Sequence, residues 1–248
     1  MKESTTHFGY EAIDINSKTA RVADVFHSVA KRYDIMNDLM SFGLHHLWKR
    51  KAIARAYIEP QLAVLDLASG TADLSRLIAP KLNSKGSLTL ADINSSMLEL
   101  GRNKLIDDGL LTNINYVQTN AESLAFPEDS FDRIIMGFGL RNVTHKDLAL
   151  NEMFRVLKPG GRLIVLEFSQ PSSKKLTALY NLYSFSVLPI LGKLICNDEK
   201  SYRYLAESIR MHPTQEELKN MMENAHFERV SFENILDGVV ALHIGFKF

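Results

Sequence analysis

The sequence predicts an α/β protein built on a doubly wound, mostly parallel sheet that ends in an antiparallel hairpin. Three observations carry this prediction. Between residues 62 and 168, five short apolar runs alternate with segments of helical period, the pattern of a parallel sheet with helical crossovers. The last two runs, ERVSFENI (228–235) and VVALHIGFKF (239–248), are joined instead by a tight Asp237-Gly238 turn, which is a hairpin signal. The first of the five runs leads through a loop of small residues into a helix, VLDLASGTADLS (64–75). In open α/β sheets, ligands bind at such carboxyl ends of strands.

Taken in chain order, residues 22–57 read as helical. Val22, Val25, Phe26, Val29, Tyr33 and Met36 recur at spacings of three and four, a break falls at Ser41-Phe42-Gly43, and the basic amphipathic stretch WKRKAIARAYI continues to Pro60. The strand candidates that follow are 62–68, 87–93, 114–120, 131–138 and 161–168, with helices at 72–80, 95–108 and 145–157. Residues 169–225 form a long helical insert that leaves the fifth strand, where it can roof the crevice. The expected organisation is one domain: an N-terminal helical lid (1–59), a ligand-binding core (60–168), the insert (169–225) and the C-terminal hairpin (226–248).

Composition narrows the classes. With 46% apolar residues and seven prolines in 248, the chain can bury a full core. Lys+Arg and Asp+Glu balance at 29 each, so no chain-wide footprint for nucleic acid exists. The single Cys196 excludes an internal disulfide framework and suits a reducing compartment. The start has no apolar h-region, so no secretory leader is expected. The stretch 176–195 is interrupted by Asn181, two serines, Pro189 and Lys193, which argues against a membrane span. It reads as a buried helix pair or as a lid that meets a greasy substrate. The eight histidines and one cysteine show no metal-ligand spacing, and no metal is expected.

The loop selects the cofactor. From Asp66, the acid-x-Gly-x-Gly-x-Gly pattern retains only Gly70, with Ala68 and Ala72 in the other glycine places. A dinucleotide site would need a glycine three residues past Gly70, yet Asp73 stands there and would repel a pyrophosphate. S-adenosylmethionine (SAM) has no phosphate and carries an ammonium and a sulfonium, which carboxylates favour. Asp92 closes the second strand 22 residues after Gly70, placed to accept hydrogen bonds from the ribose hydroxyls. Asn120, Ala121 and Glu122 follow the third strand, where a loop can flank the adenine.

Several stretches resemble the ubiquinone/menaquinone biosynthesis C-methyltransferases over nearly the whole chain: VFHSVAKRYDIMNDLMSFGLHHLWK (25–49), VLDLASGTADL, ADINSSML (91–98), FGLRNVT (138–144), RVLKPGGRLIVLEFSQP (155–171), SYRYLAESIRMHP (201–213) and GVVALHIGFKF. RVLKPGG is shared by many SAM methyltransferases; FGLRNVT and YLAESIRMHP are far more diagnostic. The resemblance implies a Rossmann-like SAM methyltransferase fold. It also implies methyl transfer from SAM to a ring carbon of a polyprenyl benzoquinol or demethylmenaquinol. By family position, Thr71, Asp92, Asn120, Ala121 and Gly137 look like SAM contacts beside Asp66, Gly70 and Asp73. Two departures stand out. Ser69 and Ala72 replace family glycines, which Ala72 tolerates if its φ is negative, and Gly137 stands where serine is expected.

Carbon methylation needs an oriented, electron-rich ring, and a donor to its oxygen as phenolate character develops. Arg141 and Asn142, directly after the fourth strand, are the first candidates for that donor pair. Tyr33, Asp34 and Asn37 share one region of the first helices and could close over the substrate. His212 and Arg210 in the insert are further candidates for a base or a quinol-oxygen contact. Met36, Leu39, Met40 and Phe42, with Leu179, Tyr183, Phe185, Leu188 and Ile190, either line a prenyl channel or pack as core. His45 and His46 are expected to face headgroups or solvent. A prenylated substrate further implies a cytoplasmic protein in transient contact with the inner membrane surface or with other quinone-biosynthesis enzymes. Oligomeric state, a homodimer included, stays open. The competing readings are a SAM-binding scaffold without activity and a methyltransferase for another small aromatic compound.

Overall fold

The computed structural model describes residues 5–29, 33–173, 182, 183, 186, 190, 193 and 199–248, without the side chains of Ser28, Val29, Tyr33, Met36, Met40 and Glu199. Expectations placed on Leu179, Phe185, Leu188 and Cys196, and on the Tyr33, Met36 and Met40 side chains, lie outside the described residues. A short antiparallel hairpin, β1 (Thr5–Phe8) and β2 (Glu11–Asp14), opens the described chain. Helical period does not reveal it, because its four-residue strands lie largely exposed. Helices α1 (Lys18–Val29), α2 (Tyr33–Ser41) and α3 (His45–Ala56) follow. The turn at 42–44 falls on the predicted break, with Phe42 and Gly43 both at positive φ.

The core alternates as predicted: β3 (Ala63–Leu67), α4 (Asp73–Ile78), β4 (Ser87–Asp92), α5 (Ser95–Asp107), β5 (Ile114–Gln118), β6 (Phe131–Gly137), α6 (Lys146–Val156) and β7 (Leu157–Phe168). The end of the chain carries α7 (Glu199–Arg210), α8 (Gln215–Asn224), β8 (Glu228–Ile235) and β9 (Val240–Phe246). Seven strands form one sheet in the order β5-β4-β3-β6-β7-β9-β8. Pairings from β5 to β7 are parallel, whereas β9 runs antiparallel to both β7 and β8. β7 starts four residues before its predicted edge: Leu157 already pairs with Phe131, and a register shift then resets the ladder at Arg133↔Arg162.

Period-two alternation fills both faces of the sheet. Val64, Ile135 and Ile164 point into one cluster, which α3 covers with Trp48 and Ile53. Leu65, Ile134 and Val165, one position away, point into the other, covered by α6 and α8 through Met153 and Met222. Strands buried on both faces read as continuous apolar runs, which is why the sequence shows them so clearly. Trp48 meets Phe168 edge-on at 6.1 Å, so α3 is seated against the carboxyl end of β7. Chain order reverses between the β3-to-β4 and the β3-to-β6 steps, and the crevice opens at the carboxyl ends of these strands.

Candidate active site

A cavity at that crevice holds about 840 Å³, its mouth included, a volume suited to a small-molecule ligand. Its walls come from five places: Leu67, Ala68 and Gly70 after β3; Asp92, Ile93, Asn94 and Met97 after β4; 119–122 after β5; Met136–Gly139 and Asn142–Thr144 after β6; and Thr19, Val22, Ala23 and Phe26 on α1. The strand-end residues Gly70, Asp92, Asn120, Ala121, Gly137 and Asn142 all reach this one wall, as the sequence predicts for three of those strands. The α1 contribution is new. Val22 and Phe26 belong to the stripe from which the helix was read, and both face the cavity.

Between β3 and α4 the chain turns through left-handed backbone at Ala68 (φ 54), Gly70 (φ 53) and Ala72 (φ 66). This corrects the expectation that Ala72 sits at negative φ in the first helical turn. Ala72 is the N-cap of α4 and adopts the conformation its family glycine would adopt freely, at a cost of about 1–2 kcal/mol. Packing offsets the strain: the Ala72 methyl is buried against α5, where Gly101 leaves room for it. A Cβ on Gly101 would lie 3.0 Å from both the Ala72 methyl and the Gly70 carbonyl oxygen. Close helix-to-loop packing, expected of a third loop glycine, is therefore supplied by Gly101.

Asp92 organises the loop. Its carboxylate accepts the Gly70 N–H and the Asn94 N–H, each at 2.9 Å. Burial raises its pKa, although these N–H groups oppose the shift. Asp66 lies behind the loop, fully buried; its Oδ2 accepts from Ser75 at 2.6 Å, and its Oδ1 has no partner. Burial pushes the Asp66 carboxyl from 3.8 up to about 7. Stability contributed by this group is full below about pH 4 and is lost as pH rises through 7, because the folded state holds the proton that the unfolded state has released. Asp66→Asn should therefore gain on the wild type between pH 5 and pH 7 by about 1–3 kcal/mol, with no further gain above. Urea midpoints at pH 5, 7 and 8 check this; a constant difference across the series overturns it.

Other predicted residues serve different partners. Asp73 does not line the cavity: its carboxylate pairs with the Lys49 ammonium of α3 at 2.5 Å. Burial alone would raise the Asp73 carboxyl, but Lys49 and then Lys104 hold it below its usual value. Thr71 donates to Asp34 at 3.2 Å, and Asp34 also takes the Lys104 ammonium at 2.6 Å. These contacts tie α2 to the loop and to α5, so Asp34 is a latch between elements in this structure. Asn37 is half-buried on α2; its carbonyl accepts from Ser41, and it does not line the cavity. A Cβ on Gly137 would fall 2.7 Å from the Leu74 side chain, so serine there would require Leu74 to turn aside.

Arg141 departs furthest from expectation. Its side chain is 2% exposed and pairs with Glu167 of β7 at 2.8 Å. It also donates to the Phe138 carbonyl, and its backbone N–H donates to Glu167 at 3.1 Å. Phe138 is itself held at φ 59, so Arg141 clamps the strained turn that presents Asn142. Only Asn142 of the predicted donor pair reaches the cavity. His212 and Arg210 line a separate cleft between α7 and α8. Burial, then Lys146 and Arg141, keep the His212 imidazole well below its ordinary pKa, so it stays neutral.

Sequence reasoning placed Glu122 in the loop that can flank the adenine and left out two further groups near the site, Lys146 and Tyr204. Glu122 lines the cavity, and its Oε1 accepts the Thr144 and His145 N–H groups, both at 3.0 Å, joining the β5 loop to the start of α6. Lys146 donates to the Val143 carbonyl at 3.0 Å, and burial, then Lys18, bring its ammonium down to about 8. Tyr204 of α7 donates to Asn142 at 3.1 Å. Neither Lys146 nor Tyr204 stands in a recognisable spacing. Asp38, His45 and His46 also meet at the α2–α3 corner, their ligand atoms within 4.8 Å of one another. His45 is buried there rather than facing solvent; burial, then Lys49, keep it neutral, and the Asp38 carboxylate accepts from both rings.

Among the described residues the cavity lining contains Asp92 and Glu122 and no lysine, arginine or histidine. Such a lining fits a cofactor that carries positive charge and no phosphate. Sheet, strand-end site and lining together define a SAM-dependent methyltransferase. Solved structures share the fold. A chain of the complex between the Haloferax volcanii Trm112 methyltransferase activator and the putative methyltransferase aligns over 91% of this chain and 96% of its own, with TM-score 0.67 and 18% identity. A Thermotoga maritima SAM-dependent methyltransferase, described as a possible histamine N-methyltransferase, aligns over 90% and 100%, with TM-score 0.62 and 18% identity. The family model described as the ubiE/COQ5 methyltransferase family matches residues 14–247, and the chain belongs to that family. The relative named ubiquinone/menaquinone biosynthesis C-methyltransferase UbiE from Pseudoalteromonas translucida is 57% identical over 99% of this chain and 98% of its own. Its namesake from Methylococcus capsulatus is 57% identical over the whole of both chains.

Proposed function

We infer that this enzyme transfers the methyl group of SAM to a ring carbon of a polyprenyl benzoquinol or of demethylmenaquinol, the step for which its end-to-end relatives are named. The observation that carries the reading is the cavity at the strand ends, bounded by Asp92, Glu122 and Asn142 and lined by no cation among the described residues. Asp92 accepts the ribose hydroxyls, while Asn120 and Ala121 flank the adenine. Gly70 brings the backbone close to the methionine part, and Asp66 supports that end from behind. SAM supplies the electrophilic methyl when bound. The protein holds the quinol carbon in line with it and stabilises the oxygen that becomes phenolate-like, with the Asn142 amide as donor.

Among the described residues no helix is long and apolar enough to cross a membrane. The prenyl tail is met instead at the α2–α3 corner and the insert. Phe42 is 74% exposed there and its ring lies tilted against that of Tyr183, centroids 4.7 Å apart, with Leu47, Leu182 and Ile190 exposed as well. Arg50, one helical turn from Leu47, is exposed. Cation and apolar side chains together suit brief contact with an anionic bilayer surface.

The test is transfer of labelled methyl from SAM to a short-chain quinol in solution and to a long-chain quinol in anionic vesicles, under reducing conditions. Label is expected in both. L47D/R50E should keep the soluble reaction and lose about tenfold on the vesicle-borne one. Absence of label from every quinol overturns the activity; equal loss on both substrates overturns the membrane contact.

A further inference from the structure

Asn142 lines the cavity, yet its orientation is set from outside it. Tyr204 sits on α7, 62 residues along the chain, and its hydroxyl donates to the Asn142 Oδ1 at 3.1 Å. A side-chain amide offers one acceptor oxygen and one donor nitrogen. With the oxygen turned to Tyr204, the Nδ2 protons are turned away from it, and they have no protein acceptor among the described residues. Burial pushes the Tyr204 phenol up to about 12, so it keeps its proton across the working range.

Tyr204 is itself fixed by packing. It is 4% exposed, and its ring stacks on Phe8 of β1 with centroids 4.2 Å apart and planes 20° apart. One turn further along α7, Glu207 accepts the Tyr10 N–H at 3.1 Å. The N-terminal hairpin therefore grips α7 at two points and sets where the hydroxyl falls. Free rotation of Asn142 would let its oxygen, an acceptor, face the substrate half of the time. Preorganised donors act because no reorientation remains to be done at the moment of reaction.

We propose that Tyr204 is a positioning residue for methyl transfer: by engaging the Asn142 oxygen it presents the Asn142 Nδ2 protons to the quinol oxygen. This rests on the quinol-methyltransferase reading of the cavity. Tyr204→Phe keeps the ring and its stack on Phe8 but removes the hydroxyl. It should lower kcat on a short-chain quinol about tenfold, the loss of one such hydrogen bond, with KM and the SAM dissociation constant within twofold of wild type. Asn142→Ala should cost about 100-fold in kcat, and adding Tyr204→Phe to it should cost nothing more. Asn142→Asp keeps an acceptor for Tyr204 but offers the substrate no donor, and should lose as much turnover as Asn142→Ala.

Circular dichroism and melting curves on each variant separate folding from turnover. Unchanged kcat in Tyr204→Phe overturns the proposal, as do losses that multiply in the double variant. Wild-type turnover in Asn142→Asp overturns it even if Tyr204→Phe fails to fold. A wild-type enzyme that binds SAM and methylates no quinol refutes the underlying reading instead, which is a separate result.

Discussion

Arg141→Met is expected to lower the unfolding free energy by about 3–5 kcal/mol, the range for removing one partner of a buried ion pair. For a chain of this size that corresponds to roughly 10 °C in melting temperature. The reason is Glu167, which is 1% exposed and would be left out of water without its guanidinium partner. Its remaining contacts, the backbone N–H groups of Arg141 and Phe168 at 3.1 and 2.9 Å, hold it in place without neutralising it. The double variant Arg141→Met/Glu167→Gln should recover more than half of the loss, because the glutamine oxygen retains an N–H partner and no charge is left buried. Urea midpoints for the two single variants and the double measure this. Turnover per folded molecule should fall much less than stability does. A variant with an unchanged midpoint and no turnover would return Arg141 to the role of a direct substrate donor.

The second large effect is expected at Asp92. Asp92→Asn should weaken SAM about 100-fold, since hydrogen bonds to a charged acceptor contribute about 1.5–3 kcal/mol each and the amide cannot accept at both oxygens. One of the Gly70 and Asn94 N–H groups loses its acceptor, so the loop loosens together with the proposed ribose site. Isothermal calorimetry checks the dissociation constant, and an unchanged value removes Asp92 from the cofactor site. A pH effect follows with a definite sign. Burial raises the Asp92 pKa, and its ionised form is the better acceptor, so SAM binding should weaken as pH falls through that raised value. Asp66 pulls the stability of the SAM-free protein the opposite way, since its protonated form is the one burial favours. Binding and stability are therefore expected to have opposed pH slopes.

The sheet was legible because its signals are local. A strand buried on both faces must be apolar at every position, and a crossover helix must repeat its apolar face every three or four residues. Val64-Leu65, Ile134-Ile135 and Ile164-Val165 satisfy that rule without reference to anything distant. Strand ends then follow, and with them Gly70, Asp92, Asn120, Ala121, Gly137 and Asn142 as one wall. The β1–β2 hairpin was invisible for the complementary reason: strands of four residues that bury one of eight positions leave no periodic trace. Ala72 was misread because a helix start is normally recognised by a capping side chain, and here the cap is a backbone conformation.

What the sequence determined by itself, then, is the alternation of elements, the position of the loop that opens the crevice and the choice of a phosphate-free, cationic cofactor, the last from Asp73 in a place a pyrophosphate would forbid. The same Asp73 shows what tertiary structure alone decided. Its carboxylate was assigned to the right chemistry at the wrong address, for it binds Lys49 of α3 and not the cavity. Arg141 with Glu167, Asp34 with Lys104 and Asn142 with Tyr204 are separated by 26, 70 and 62 positions along the chain. Periodicity and spacing report which face of an element a residue occupies, but which charge it meets depends on how distant elements are set against one another. Burial then settles the outcome, since a charge or amide removed from water must find its partner among whatever the packing brings near.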